Sequence, residues 1–143
     1  MTINKRQIEK LKDCCAVFAA GAVVYTGAEL LWRGHSHWTM TLTGVACTLF
    51  IHLANRRMRP RGVPMAVRCL AGCGIITGAE FAVGLIVNRL LGWGVWDYSD
   101  VPFNILGQIC PLYCIMWFIL SFPAICISNW LDCRGRRALV FGS

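Results

Sequence analysis

The sequence predicts an all-α integral membrane protein with four transmembrane helices, arranged as two helical hairpins in a parallel repeat. Hydrophobic residues make up 57% of the 143-residue chain and charged residues only 15%, whereas a soluble domain carries about 25% charged residues. The apolar residues form long stretches without period-2 alternation, so their backbone groups must be satisfied within helices. A short motif also recurs in two of these stretches. The composition excludes a water-soluble globular domain and a disordered chain.

Four apolar stretches are the predicted spans, and they cover residues 14–32, 39–54, 65–91 and 103–131. The second is short for a span, which needs about 20 residues, but Trp38 and its polar neighbours suit the membrane interface. The third and fourth are long, so we expect these helices to tilt. Residues 14–131 therefore form one transmembrane domain, between a basic leader at 1–13 and a basic tail at 132–143.

The basic residues sort to one side of this arrangement. Twelve of the 14 lie before the first span, between the second and third spans, at the start of the third span or after the fourth: Lys5, Arg6, Lys10, Lys12, Arg56, Arg57, Arg59, Arg61, Arg68, Arg134, Arg136 and Arg137. The positive-inside rule places these segments and both termini in the cytoplasm, so we expect a bacterial inner-membrane protein. Topology explains the clusters, with lipid headgroups or a partner chain as the alternative. No nucleic-acid partner is expected.

An internal repeat relates the two predicted hairpins, residues 14–54 and 65–131. The tetrapeptide at 26–29, Thr-Gly-Ala-Glu, recurs at 77–80. Further matches follow in the same order: Gly34 and Trp38 with Gly92 and Trp96, and Gly44 and Cys47 with Gly107 and Cys110. Parallel repeats of this kind occur in transporters. Independent use of Gly, Ala and Cys in a biased composition is the alternative explanation.

Two acids lie within predicted spans, where ionisable groups cost about 2.5–3.5 kcal/mol on insertion scales. Glu29 shares one helix face with Tyr25 and Arg33, because the three residues are spaced four apart. One interpretation is a Glu29–Arg33 ion pair that holds the outer end of the helix together. The other is an acid that faces a central site, with Arg33 as its charge partner.

The second embedded acid, Glu80, has no basic residue one helical turn away. With Gly84 and Asn88 it forms a polar and small-residue stripe, which indicates a face packed against protein. Glu80 therefore needs a partner from another helix, either as a structural hydrogen-bonding group or as an acid that binds a proton or cation. The Gly74-x-x-x-Gly78 motif predicts close helix packing within the bundle or between subunits, and we expect a homo-oligomer.

The second outer loop holds further polar candidates. Pro102 suits the first turn of the fourth span, and Ser99 or Asp100 could cap that helix. Asn104 and Gln108 are then one turn apart. Together with Asp97 and the two embedded acids, they would form a polar cup open to the outside.

Known catalytic patterns are missing from the sequence. It contains no P-loop, no Rossmann glycine pattern, no C-x-x-C and no Ser-His-Asp candidate. We interpret the nine cysteines as small apolar packing residues. No catalytic residue, metal or cofactor is therefore expected, and an enzyme that acts on lipid is the least favoured class.

The block from Trp96 to Cys110, Trp-Asp-Tyr-Ser-Asp-Val-Pro-Phe-Asn-Ile-Leu-Gly-Gln-Ile-Cys, resembles the signature of the bacterial ABC-transporter type IV membrane proteins. Upstream, Gly78-Ala79-Glu80-Phe81 and Leu90-Leu91-Gly92 are similar to that family's acid-bearing helix and the glycine before its W-D-Y-S motif. The resemblance implies a polytopic bacterial membrane protein with a permease role, whose ATPase would be a separate chain.

Two function classes follow from these observations. The first is a transporter or channel for a small solute or ion, with a polar outward-facing site. Its candidate ligand-binding residues are Tyr25, Glu29, Arg33, Glu80, Asp97, Asn104 and Gln108. The alternative is a non-transporting membrane subunit, such as a scaffold, sensor or assembly partner, in which the embedded acids are structural.

Overall fold

The computed structural model describes residues 37–141 as one continuous segment, with side chains up to residue 134. Further upstream it describes isolated positions only, namely 8, 12, 15, 16, 19, 21–23, 26, 27, 30, 31 and 34, and all of these except Gly34 have helical backbone. Apart from these positions, the predicted leader and first span lie outside the described residues. Tyr25, Glu29 and Arg33 also lie outside them.

Three helices with defined bounds make up the continuous segment: α1 (Trp38–Met58), α2 (Met65–Gly84) and α3 (Pro111–Phe141). A 3₁₀ turn at Arg59–Arg61 follows α1, and a π-helical turn at Leu85–Leu90 extends α2. The only extended pairing in the described part is an isolated bridge between Ile105 and Ile109. The all-helical prediction is therefore confirmed for the described residues.

Local chemistry explains where α1 ends and α2 begins. The imidazole of His37 caps α1 by accepting a hydrogen bond from the Thr39 amide at 3.4 Å. After the 3₁₀ turn, Gly62 adopts φ 70°, a left-handed conformation that glycine enters without steric cost. Pro64 immediately precedes α2. A chain reversal between two antiparallel helices is the result.

Two described helical segments, Met65–Leu90 and Pro111–Arg134, are long and apolar enough to cross a membrane. The prediction of a helix at 39–54 is confirmed by α1, but α1 is not among these two segments. Its threonines, together with His52 and Asn55, lower its hydropathy. Since α1 packs against both α2 and α3, it directs these polar groups into the bundle.

Polar groups occupy the interior of the described bundle, and apolar side chains cover much of its outside. The largest fully buried side chains are Ile125, His52, Glu80, Asn55, Cys110, Ser121 and Ser128. Leucine, isoleucine and phenylalanine side chains on α2 and α3 are exposed, among them Leu70 at 63% and Ile119 at 62%. In a water-soluble protein, large apolar residues are mostly inside. This distribution is that of a helix bundle surrounded by lipid.

The fourth predicted span begins later than the sequence indicates. Residues 103–110 form a loop, and α3 starts at Pro111, whose missing amide proton suits the first helical turn. Phe103 and Leu106 have positive φ values of 59° and 52°, which a helix does not allow. The predicted helix start at Pro102, with a cap from Ser99 or Asp100, is therefore wrong. The apolar residues of this segment suggest a span, but they belong to the loop, and Phe103 is 88% exposed on the loop surface.

The two halves of the proposed repeat differ at this place. Gly44 and Cys47 lie inside α1, whereas their counterparts Gly107 and Cys110 lie in the loop before α3. The motif letters match, but the secondary structure does not. The arrangement as two equivalent hairpins stays a prediction.

Candidate functional site

Glu80 lies in the last turns of α2, within the Met65–Leu90 segment, and is 2% exposed. Its Oε2 accepts a hydrogen bond from the indole Nε1 of Trp117 on α3 at 2.7 Å. The partner therefore comes from another helix, as the absence of a basic residue one turn away predicts. An indole N–H is a neutral donor, so this bond holds the carboxyl group without a second charge.

Aromatic rings connect Trp117 to the outer loop. The Trp117 and Tyr113 rings lie 6.4 Å apart, and Tyr113 stacks on Tyr98 with 4.3 Å between ring centroids and an angle of 18°. Tyr98 belongs to the W-D-Y-S block and is buried. Offset stacking of this kind adds about 0.5–1.5 kcal/mol beyond simple burial. The block thereby supports the donor that holds Glu80.

The predicted stripe of Glu80, Gly84 and Asn88 does pack against protein. A side-chain carbon added at Gly84 would collide with Gln108 Oε1 and lie 2.9 Å from the Trp96 ring, so only glycine fits this contact. Asn88 Nδ2 donates to Gln108 Oε1 at 2.8 Å, and Asn88 Oδ1 accepts from the Val95 amide at 2.7 Å. Asn88 therefore holds both ends of the loop to α2.

Gln108 is buried at 3% exposure beneath this loop. The Gln108 Nε2 donates to the main-chain carbonyl of Leu106 at 3.1 Å, and the main-chain carbonyl of Gln108 accepts from Trp96 Nε1 at 3.2 Å. With the bond from Asn88, every polar group of the side chain has a partner. Gln108 lies beside Gly84, and Gly84 is one helical turn from Glu80. Of the candidate binding residues in the loop, Asp97, Asn104 and Gln108, only Gln108 packs against this face of α2 in the described structure.

Asp97 and Asn104 shape the loop itself. Asp97 is exposed, and its Oδ1 accepts from the Ser99 hydroxyl at 2.5 Å and the Ser99 amide at 2.9 Å. These bonds, the hydroxyl first, hold the pKa of the Asp97 carboxyl below its ordinary value of 3.8. Asn104 Nδ2 donates to the carbonyls of Ser99 and Val101 at 3.0 and 2.8 Å, while its Oδ1 accepts from the Gly107 amide at 3.0 Å.

The members of the predicted polar cup have different surroundings in the described part of the chain, and the cup itself stays a prediction. Glu80 and Gln108 come together on one face of α2, but Asp97 and Asn104 spend their polar groups on loop hydrogen bonds. Asn104 and Gln108 are not one helical turn apart, because the segment that contains them is not helical. The predicted contributions of Tyr25, Glu29 and Arg33 lie outside the described residues.

Sequence reasoning missed a second buried network, at the end of the bundle that carries the arginines. We name it the inner polar cluster, and its members are His52, Asn55, Arg68, Ser128 and Asn129. His52 Nδ1 lies 2.8 Å from Ser128 Oγ. Asn55 Nδ2 donates to Ser128 Oγ at 2.9 Å and to Asn129 Oδ1 at 3.0 Å, and Arg68 Nη1 donates to Asn55 Oδ1 at 2.9 Å. Asn55 thus links all three helices.

Two more arginines border the inner polar cluster. Arg56 forms an ion pair with Asp132 at 3.4 Å, and Arg59 Nη1 donates to the Asn129 carbonyl at 3.4 Å. Membrane topology, or the alternative of lipid headgroups or a partner chain, explains the charge of these arginines but does not predict these contacts. A signal was present, because His52, Asn55, Arg56 and Arg59 follow helical spacing and so share one face of α1.

Residues 12–133 match the model of a protein family described as "Putative ABC-transporter type IV". The chain belongs to this family. The matched range contains α1, α2, the outer loop and most of α3, so the Glu80 site and the inner polar cluster are both within the type IV family region. None of the curated proteins and none of the solved structures compared with the chain matches it.

Proposed function

We propose that this type IV family member moves a small solute or ion across the membrane, and that Glu80 binds the proton or cation involved. One observation carries the proposal: a carboxyl group is 2% exposed inside an apolar span and is held by an indole donor from the facing helix. Ionisable residues in such positions commonly mark ion pathways and proton relays.

The chemistry of the Trp117–Glu80 contact suits this role. An indole N–H can donate both to a carboxylate oxygen and to the carbonyl oxygen of a protonated carboxyl group. The hydrogen bond can therefore persist while Glu80 gains or loses its proton. In our proposal, Glu29 is the repeat-related second acid, Arg33 is its charge partner and Tyr25 lies on the same face.

The proposed orientation puts both termini and the loop between α1 and α2 in the cytoplasm of a bacterial cell, within the inner membrane. Arg57 in the last turn of α1 and Arg61 in the 3₁₀ turn are exposed at this end of the bundle. The Arg134 guanidinium on α3 lies 4.7 Å from the centre of the Trp130 ring. Tryptophan and arginine are typical of the membrane interface. This basic end would meet a separate ATPase chain.

A second copy of the chain is the other proposed partner. Gly74 and Gly78 are exposed on α2, and a side-chain carbon added at either would meet no described atom within 4 Å. Two helices can approach closely along such a motif. Glycine at these positions has no packing reason within the described bundle, so association with another copy provides one.

Flux measurements on reconstituted protein test the transport proposal. Liposomes loaded with a pH-sensitive dye report proton entry under an imposed potential, and labelled rubidium reports monovalent cation entry. We expect Glu80→Gln to abolish flux and Glu29→Gln to reduce it. Asp100→Asn, which changes an exposed acid of the outer loop that is not among the candidate ligand-binding residues, is the matched control and should leave flux unchanged. Equal flux in the wild type and in both glutamine variants would contradict the proposal.

One observation favours the alternative, a non-transporting membrane subunit. Asp97 and Asn104 use their polar groups inside the outer loop, and Gln108 bonds Asn88 and Leu106, so a ligand would have to displace existing hydrogen bonds. In this function Glu80 only fastens α2 to α3. Wild-type liposomes would then show no flux, and Glu80→Gln would lower the melting temperature or the yield of oligomer.

A further inference from the structure

Two thiols meet where α2 and α3 pack against each other. Cys73 Sγ lies 3.2 Å from the main-chain oxygen of Cys114. The Thr77 hydroxyl lies 3.6 Å from Cys114 Sγ and 3.9 Å from Cys73 Sγ. The two sulfur atoms can therefore be no farther apart than the sum of these last two distances. Thiols from two different helices converge on one hydroxyl group.

These two cysteines differ from the packing cysteines of the core. Cys47, Cys69 and Cys110 are only 2–3% exposed, as expected of small apolar residues. Cys73 and Cys114 are half-buried, so the described bundle does not enclose them as it encloses the core cysteines. Packing alone therefore accounts less well for this pair.

We propose that Cys73 and Cys114 form a binding site for a soft, thiophilic metal cation of low coordination number, such as Cu(I), with the Thr77 hydroxyl beside it. Thiolates select soft cations over hard ones, and the thiolate is the form that binds. Binding forms two sulfur–metal bonds and breaks two S–H bonds, and the two protons leave to the solvent. The oxidation state of the metal and of both sulfurs is unchanged.

The position of the site connects it to Glu80. Cys73, Thr77 and Glu80 lie at positions i, i+4 and i+7 of α2 and so share one face. Cys73 and Glu80 are separated by about 10.5 Å along the helix axis at 1.5 Å per residue. Both lie within the Met65–Leu90 segment. Metal binding goes beyond the proposed function, since it requires no transport. If ions do cross, the thiol pair indicates their class.

Binding is measured on the purified full-length chain in detergent, without a flux assay. The reference protein has four cysteines replaced by serine to reduce other thiol binding: Cys14, Cys15, Cys126 and Cys133. Cu(I) is supplied anaerobically against a chromophoric Cu(I) chelator. The test variant carries Cys73→Ser and Cys114→Ser. The matched control carries Cys47→Ser and Cys110→Ser, which remove two buried thiols elsewhere.

We expect the reference protein and the control to take one equivalent of Cu(I) from the chelator, and the test variant to lose that equivalent. Retained binding in the test variant, or no binding by the reference protein, would overturn the proposal. If the test variant does not fold, a thiol-bridging reagent that fluoresces only after it joins two nearby thiols replaces it. Bridging of Cys73 to Cys114 that Cu(I) blocks supports the site, and bridging that Cu(I) leaves unchanged refutes it.

Discussion

Gly84→Ala is expected to destabilise the protein by forcing the outer loop away from α2. The added carbon would collide with Gln108 Oε1 and lie 2.9 Å from the Trp96 ring, and both of these side chains are buried. Overpacking costs about 1–3 kcal/mol. Loss of the Asn88–Gln108 hydrogen bond adds about 0.5–1.5 kcal/mol.

Alanine also favours the helix over glycine, by about 1 kcal/mol. The net loss for Gly84→Ala is therefore about 0.5–3.5 kcal/mol. Gly78→Ala is the matched control on the same helix, because its new carbon would meet no described atom within 4 Å. We expect Gly78→Ala to gain up to about 1 kcal/mol when the chain is monomeric. The same chemical change should thus have opposite signs six residues apart.

Denaturant unfolding in detergent micelles, followed by circular dichroism under conditions where the chain is monomeric, measures both variants. Equal stability of the two variants, or a Gly84→Ala variant more stable than Gly78→Ala, would refute the close contact between α2 and the loop. A second readout does not depend on the difference in helix propensity between alanine and glycine. Tryptophan fluorescence should shift in Gly84→Ala, because Trp96 lies in the contact, and should not shift in Gly78→Ala.

Three further outcomes are expected. Trp117→Phe removes the indole donor to a buried carboxyl group and should lower the free energy of unfolding in micelles by about 1.5–3 kcal/mol. The control Trp93→Phe changes a half-exposed ring and should stay within about 0.5 kcal/mol of wild type. Equal losses of stability in the two variants would contradict the hydrogen bond. Asn55→Ala removes the acceptor of Arg68 Nη1 and the donor to Ser128 Oγ and Asn129 Oδ1, so it should cost about 1–3 kcal/mol. The exposed Arg61→Ala should be nearly neutral in the same assay. Because the pKa of Asp97 is lowered, the stabilising contribution of its carboxylate is complete above pH 3.8 and is lost as the pH falls through the lowered pKa. An acid titration followed by fluorescence should therefore show a loop transition that Asp97→Asn removes. An unchanged transition in Asp97→Asn would exclude this carboxyl group as its cause.

Part of the candidate site could be predicted from the sequence. Glu80 stood out because an acid in an apolar span is costly, and its stripe with Gly84 and Asn88 indicated a face turned toward protein. The donor could not be named, since Trp117 is 37 residues away in the sequence. In the sequence, Trp117 resembles an ordinary aromatic residue of a span.

The outer loop was assigned to the wrong structure for a physical reason. The Phe103-Asn104-Ile105-Leu106 sequence has the composition of a span, but Asn104 bonds three main-chain groups of the loop. These bonds stabilise a turn with positive φ at Phe103 and Leu106. Asparagine side chains compete with helical hydrogen bonds in this way, and hydropathy does not register that competition.

Composition and apolar runs were enough to predict the all-helical structure of the described residues, and they singled out the few charged residues within those runs. Long apolar runs must form helices because their backbone groups find no other partners in lipid, and sparse charges on such a chain stand out as candidate sites. Which polar groups contact each other becomes known only from the packing of the helices. His52 contacts Ser128 across 76 residues, and two thiols converge on Thr77 from different helices. Such meetings depend on the rotation and depth of each helix in the bundle, which packing of the whole chain sets and periodicity within one helix does not.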